Sequence, residues 1–207
     1  MSMKIERGLY AITQQGLPPT SLFEKTQQIV TNGAVMVQYR AKTDRDTSVA
    51  RRLLEICHAA KTAFIVNDDP ELALTIGADG VHLGAQDPDF ERARTSLGDN
   101  AIIGVSCYNM LDRSVEAQRL GADYVAFGSF FKSLTKPGAQ RAHRQLLENA
   151  KARLSIPVVA IGGITPENGR SLIDAGADLL AVISGLYASA DAASVAASYT
   201  ALFDEPI

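Results

Sequence analysis

Cysteine is scarce. Only Cys57 and Cys107 occur in 207 residues, and no C-x-x-C places thiols at redox or metal-ligand spacing. Reduced thiols in a cytoplasmic protein are the expectation. There is no basic block, RNP-like aromatic cluster or C₂H₂ spacing, and the formal net charge is −3, which disfavours a nucleic-acid partner. Met1 to Gly8 carries Lys4, Glu6 and Arg7 without an apolar h-region, so no signal peptide is expected. No apolar run approaches the roughly 18 residues of a membrane span, so no membrane partner is expected. What is present is ordinary for a globular chain: 46% apolar and 21% charged residues. The length suits one domain, 1–207, with a sizeable core.

An internal repeat organises the chain. Gly33-Ala34, Gly77-Ala78-Asp79, Gly121-Ala122-Asp123 and Gly176-Ala177-Asp178 recur at spacings of 44, 44 and 55. Each glycine follows an amphipathic helical pattern and precedes a short apolar run, as a helix C′ glycine entering a strand would. A period of 44 suits two strand-plus-helix units. Candidate strands are 8–13, 34–40, 63–68, 79–83, 101–106, 123–128, 157–162 and 178–184. Helical faces lie between them, among them Val49, Leu53, Leu54, Cys57 and Ala60, then Leu146, Leu147, Ala150 and Leu154. Continuously apolar strands alternating with helices imply a parallel sheet buried on both sides. Eight such units predict an α/β fold, a (β/α)8 TIM barrel. A doubly wound open sheet would more often have six strands or fewer and a glycine-rich first turn, which this chain lacks.

In such barrels chemistry sits at the C-terminal strand ends. The second run ends in Gln38, Tyr39, Arg40, Ala41 and Lys42, the third in Asn67 and Asp68, and the fifth in Ser106. Asp87 follows the fourth. If the third and fourth runs are neighbours, Asp68 and Asp87 leave the sheet at one edge, an oxygen site of the kind Mg²⁺ uses when it also holds phosphates. The sixth run enters a polar loop, 129–142, that carries Ser133, Thr135, Lys136 and Arg141 and accounts for the extra length of the last repeat. Long loops in compact domains tend to be lids or binding loops. Glycine-bearing turns at 162–163 and 184–185 follow the last two runs and suit backbone binding of phosphate.

Plainer readings exist for several of these residues. Asp69-Pro70-Glu71 reads as an N-cap with proline at the first helical position, which gives Asp69 a structural task and leaves Asp68 without one. Asp87-Pro88 has the same pattern, so Asp87 stays open between cap and metal ligand. Thr165-Pro166-Glu167 is read as a cap alongside a ligand contact. His58 and His143 are expected in helices and solvated; His82, within a strand, is expected to pack or to support the site from behind.

The residues also carry a resemblance. From Tyr10 to about Ser184 the chain resembles the thiamine-phosphate synthase family. The motifs are Gln-Tyr-Arg-x-Lys at 38–42, Asn-Asp-Asp at 67–69, Ala-Asp-Gly-Val-His-Leu-Gly at 78–84, Gly-Val-Ser at 104–106, Thr-Lys at 135–136, Ile-Gly-Gly-Ile-Thr at 161–165 and Ile-Ser at 183–184. In this order they are specific. The resemblance implies a transferase that joins a hydroxymethylpyrimidine diphosphate to a hydroxyethylthiazole phosphate and releases diphosphate. Gln38, Arg40, Lys42, Asn67, Ser106 and Lys136 would hold the pyrimidine diphosphate, and Asp68 and Asp87 its Mg²⁺. Arg40, Lys42 and Lys136 would act on the departing diphosphate. Ser133, Thr135, Gly163, Ile183 and Ser184 would hold the thiazole phosphate. The implied reaction is dissociative and needs no nucleophilic side chain or strong base. Three departures touch secondary contacts: Ser133 where threonine is frequent, Ala85 in place of glutamine, and Cys107-Tyr108 where a histidine commonly follows. The partners expected are the two small substrates, and a homo-oligomer stays open. The alternatives are a thiazole tautomerase on the same barrel, which would need an acid/base histidine after the fifth strand, and a non-catalytic barrel that binds a phosphate ligand.

Overall fold

Runs of four to seven residues cross the barrel wall, and the chain supplies eight of them separated by helices. The computed structural model describes residues 5–41, 45–84, 90–132 and 141–204. The elements run β1 (Gly8–Ile12), α1 (Pro19–Thr31), β2 (Ala34–Tyr39), α2 (Thr47–Ala59), β3 (Ala63–Asn67), α3 (Pro70–Ile76), β4 (Gly80–Leu83), α4 (Phe90–Leu97) and β5 (Ile102–Tyr108). They continue as α5 (Leu111–Arg119), β6 (Tyr124–Gly128), α6 (Gln145–Arg153), β7 (Val158–Ile161), α7 (Pro166–Asp174), β8 (Leu179–Val182), α8 (Ser184–Tyr187) and α9 (Ala192–Ala201). Every strand pairs in parallel with its sequence neighbours, and β1 pairs with β8 as well as β2. The sheet therefore closes, giving a (β/α)8 TIM barrel.

Two apolar layers follow from strand alternation. Leu9, Ala11, Val37, Phe64 and Val66 face outward against Leu22, Ile29, Leu53 and Leu72 of the helices. Tyr10, Ile12, Met36, Ile65, Ile102, Tyr124, Val159 and Leu179 fill the interior. Burying one such Leu or Ile contributes about 1.5–3 kcal/mol, so both layers hold the barrel together.

The repeat has a physical meaning at the N-terminal face. Gly33, Gly77, Gly121 and Gly176 all take positive φ, the conformation that ends each helix. Asp79, Asp123 and Asp178 then turn back onto the preceding strand. Each Oδ2 accepts a backbone N–H, from Phe64 at 2.7 Å, Ile103 at 2.8 Å and Val158 at 2.9 Å. Each carboxylate also meets a basic side chain from a helix, His58, Arg94 or Lys151 respectively. One carboxylate thus ties two strands together, which is why the motif recurs every second unit.

Some boundaries differ from expectation. β5 extends to Tyr108 through a register shift between Ser106 and Tyr108, with Cys107 buried and Tyr108 exposed at the barrel mouth. β8 stops at Val182 because Ser184 already opens α8. His143 does not lie in a helix: its carbonyl accepts the Leu146 N–H in the turn that precedes α6. His58 is helical and exposed, as expected. Among the described residues no helix is long and apolar enough to cross a membrane.

Candidate active site

A cavity of about 840 Å³ opens at the C-terminal mouth of the barrel. Its floor is polar where the interior layer would otherwise be apolar. Gln38 Nε2 donates to the Tyr10 hydroxyl at 2.7 Å, and Tyr10 Oη lies 2.7 Å from Tyr124 Oη. Tyr124 Oη is 2.9 Å from His82 Nδ1, and His82 Nε2 is 2.9 Å from Ser106 Oγ. Five strands meet in this chain. The His82 ring stacks on Tyr124 at 5.5 Å between centroids, and Tyr10 meets Tyr124 edge to face. Gly104 makes the room, since a Cβ there would sit 1.9 Å from the Tyr124 ring. Burial drives both phenols well above their usual range, so they stay protonated.

The rim carries charge. Arg40, just past β2, reaches the cavity while its N–H donates to Thr13 Oγ1 at 2.8 Å. Asn67 ends β3 and lines the cavity. Its amide donates to Asp68 Oδ2 at 2.6 Å, and Asp68 sits in the left-handed region with φ of 57°. Asp68 N–H continues the ladder to the His82 carbonyl. Asp69 is the cap that its sequence suggests: it accepts the Leu72 N–H at 2.9 Å and pairs with Arg45. Arg113 donates to the carbonyls of Ser106 and Gly84, fixing the ends of β5 and β4 together.

Opposite lie the glycine turns. Phe131 N–H donates to the Gly162 carbonyl and Phe130 N–H to that of Ile161, so the loops after β6 and β7 run backbone against backbone. Gly163, at φ of 64°, has the Lys132 carbonyl 2.4 Å from where a Cβ would stand. Asn168 holds the turn through its amide, which donates to Gly163 O, while its Oδ1 accepts Thr165 N–H. Ser184 and Gly185 open the first turn of α8 on the cavity, where N–H groups have no partner within the helix. Ala142 N–H donates to Ser129 O at 2.9 Å and pins the base of the 129–142 loop.

Gln38, Arg40, Asn67, Ser106, Gly163, Ile183 and Ser184 therefore border one cavity, as does Thr165. Asp68 follows Asn67 and is hydrogen-bonded to it, but does not itself line the cavity. Lys42, Asp87, Ser133, Thr135 and Lys136 lie outside the described residues. Among the described residues no group of three or more His, Cys, Asp or Glu side chains gathers as for a metal. Sequence reasoning passed over Tyr10 and Tyr124, although a tyrosine at an inward position of an apolar strand must find a hydrogen-bond partner. It also passed over Lys132 and Met110, which border the mouth, as does Tyr108, noted from sequence only as a departure.

Fold and rim define the class: a (β/α)8 barrel whose mouth sets Arg40 and the glycine turns over a polar floor. A family model described as thiamine monophosphate synthase matches residues 9–186. The chain is 47% identical over 204 residues to a thiamine-phosphate synthase of Methylococcus capsulatus, covering 97% of this chain and 91% of that one. It is 48% identical over 197 residues to the Nitrosococcus oceani thiamine-phosphate synthase, covering 93% and 91%. Among solved structures, a thiamine phosphate pyrophosphorylase from Pyrococcus furiosus superposes with a TM-score of 0.86 at 32% identity, over 97% of this chain and 96% of that one. The chain belongs to the thiamine monophosphate synthase family, and its activity is that of these transferases, thiamine-phosphate synthesis.

Proposed function

We propose that this cavity joins 4-amino-2-methyl-5-hydroxymethylpyrimidine diphosphate to 4-methyl-5-(2-hydroxyethyl)thiazole phosphate, yielding thiamine phosphate and diphosphate. The observation that carries the reading is the division of the mouth. Gln38, Arg40, Asn67 and Ser106 border one side, and Gly163, Ile183 and Ser184 the other, over one floor. The first group, with Lys42 and Lys136, holds the pyrimidine diphosphate. The second, with Ser133 and Thr135, holds the thiazole phosphate through backbone N–H groups and hydroxyls.

Mg²⁺ is the ion this chemistry calls for: Asp68 offers a carboxylate oxygen at a strand end, next to Asn67, and Asp87, outside the described residues, would complete a hard-cation site with it. When bound, the ion supplies charge neutralisation on the diphosphate oxygens. Arg40, Lys42 and Lys136 do the rest: they stabilise the diphosphate as the C–O bond ionises. A cation about 4 Å from a developing charge contributes roughly 4 kcal/mol at an effective dielectric near 20. Groups in place before bond breaking need no reorganisation. Ile12, Ala126, Val159, Ile161 and Ala181 line the cavity with apolar surface, which limits water capture of the pyrimidine-methyl cation, and the thiazole nitrogen, held close, forms the new bond. Cytoplasmic placement belongs to the same proposal and rests on the two buried free thiols.

A tautomerase would need an acid/base histidine where β5 leaves the barrel, and Tyr108 stands at that strand end. A non-catalytic barrel would bind the thiazole phosphate without turnover. An assay for diphosphate release separates the three. Release is expected only with both substrates and Mg²⁺; binding without release, or tautomerisation in its place, would overturn the reading.

A further inference from the structure

The floor chain has a direction. Gln38 gives an N–H to the Tyr10 oxygen at 2.7 Å. Each phenol has one proton and is buried, so the order that leaves neither proton without an acceptor sends that of Tyr10 to Tyr124 and that of Tyr124 to His82 Nδ1. The imidazole proton then sits on Nε2, 2.9 Å from Ser106 Oγ. With its oxygen accepting from His82, the Ser106 hydroxyl has its proton left to give. An amide at one strand thus sets the donor character of a hydroxyl three strands away. Protonated phenols are what this order requires, and burial on both rings favours them.

We infer that Tyr124 and His82 are positioning residues for substrate recognition: they hold His82 as its Nε2–H tautomer and so commit Ser106 to donate into the cavity, selecting a heterocycle that presents a ring-nitrogen acceptor to β5. The reverse order, with Ser106 accepting, would select a ring N–H instead. The kinetic arm of the test rests on the proposed pyrimidine substrate; the spectroscopic arm does not.

The test is the tautomer of His82, read from ¹⁵N shifts of the labelled imidazole in the intact protein. Nε2–H is expected in the wild type. Gln38→Glu replaces the terminal donor by an acceptor and is expected to reverse the chain to Nδ1–H. Tyr124→Phe removes the central hydroxyl and should raise KM for the pyrimidine diphosphate roughly tenfold, the scale of one buried hydrogen bond. KM for the thiazole phosphate should stay unchanged. Nδ1–H in the wild type, or an unaltered tautomer in Gln38→Glu, would overturn the inference. So would an unchanged pyrimidine KM in a folded Tyr124→Phe protein. Wild-type protein that releases no diphosphate would sink the substrate assignment alone and leave the tautomer result to decide this one.

Discussion

The hydroxyl oxygens of Tyr10 and Tyr124 lie 2.7 Å apart, with their rings at 85°. β1 and β6 are not neighbours in the sheet, so this bond crosses the interior and bridges strands that the backbone ladder leaves unconnected. It also sets the depth of the cavity, because both side chains are almost wholly buried beneath the mouth. An apolar pair of similar size would pack as well. The phenols give the floor an orientation in return for two buried hydroxyls that must each stay bonded.

The opposite face of the barrel should be purely structural. Asp123 accepts the Ile103 N–H and pairs with Arg94, whose guanidinium also donates to the carbonyls of Ala101 and Gly121. Hydrogen bonds to a charged group contribute about 1.5–3 kcal/mol, and partial exposure of both side chains lowers the ion-pair share. Asp123→Ala is expected to lower unfolding stability by about 2 kcal/mol in denaturant titration while both KM values stay at wild type. A changed KM would show that the two faces are coupled.

Buried phenols make stability fall at high pH. Tyr10, Tyr124 and Tyr187 are raised by burial, and burial pushes Tyr199 up to about 12. Above the ordinary tyrosine value near 10, the unfolded chain releases these protons and the folded chain keeps them. The unfolded state then binds fewer protons, so stability declines with pH, by about 1.4 kcal/mol per pH unit for each such group. The contribution is complete below pH 10 and, for Tyr199, is lost through about pH 12. Denaturant curves between pH 8 and about 11.5 should be flat and then steep, and Tyr187→Phe should make the steep part shallower. A stability that holds level past pH 11 would contradict this.

Catalytic losses should rank by charge rather than by number of contacts. Removing a group that stabilises the leaving diphosphate costs transition-state energy, whereas a single neutral hydroxyl on the thiazole phosphate costs mostly binding. Asp68→Ala or Lys136→Ala should therefore lower kcat by about a hundredfold or more, and Ser133→Ala by roughly tenfold at most. Steady-state kinetics on the three variants checks the order, and equal small losses would undo the role assignment.

The barrel was legible because its strands are uninterrupted apolar runs, and the Gly-Ala-Asp repeat marked where helices hand over to strands. Alternation alone placed Gln38 and Arg40 on one side, and both border the cavity. Asp69 was separable from Asp68 because Asp-Pro-Glu is a cap with a mechanism. The floor was not legible. Tyr10, His82 and Tyr124 lie in three strands far apart in sequence, and only closure of the sheet brings their polar atoms within 3 Å. The shift at Ser106 was hidden too, since Cys107 and Tyr108 continue the strand pattern without a glycine or proline to announce the bulge.

Gly163 gives the sharpest local test of the phosphate side. Its φ of 64° and the Lys132 carbonyl 2.4 Å from a notional Cβ leave no room for a side chain. Backbone oxygen cannot swing aside as a side-chain tip can, so Gly163→Ala must move the loop after β6 or the turn after β7. Both lead into the side proposed for the thiazole phosphate, and the Asn168 amide that holds Gly163 O would be strained with them. The expected result is a KM for thiazole phosphate raised at least tenfold, with the KM for pyrimidine diphosphate little changed, because Gln38, Asn67 and Ser106 lie across the mouth. Gly77→Ala is the control, since it carries the same positive φ at a helix end with open space around it. It should lose stability, about 1 kcal/mol, and keep both KM values. If the two variants behave alike, the effect at 163 is backbone strain alone, and the turn does not shape the phosphate site.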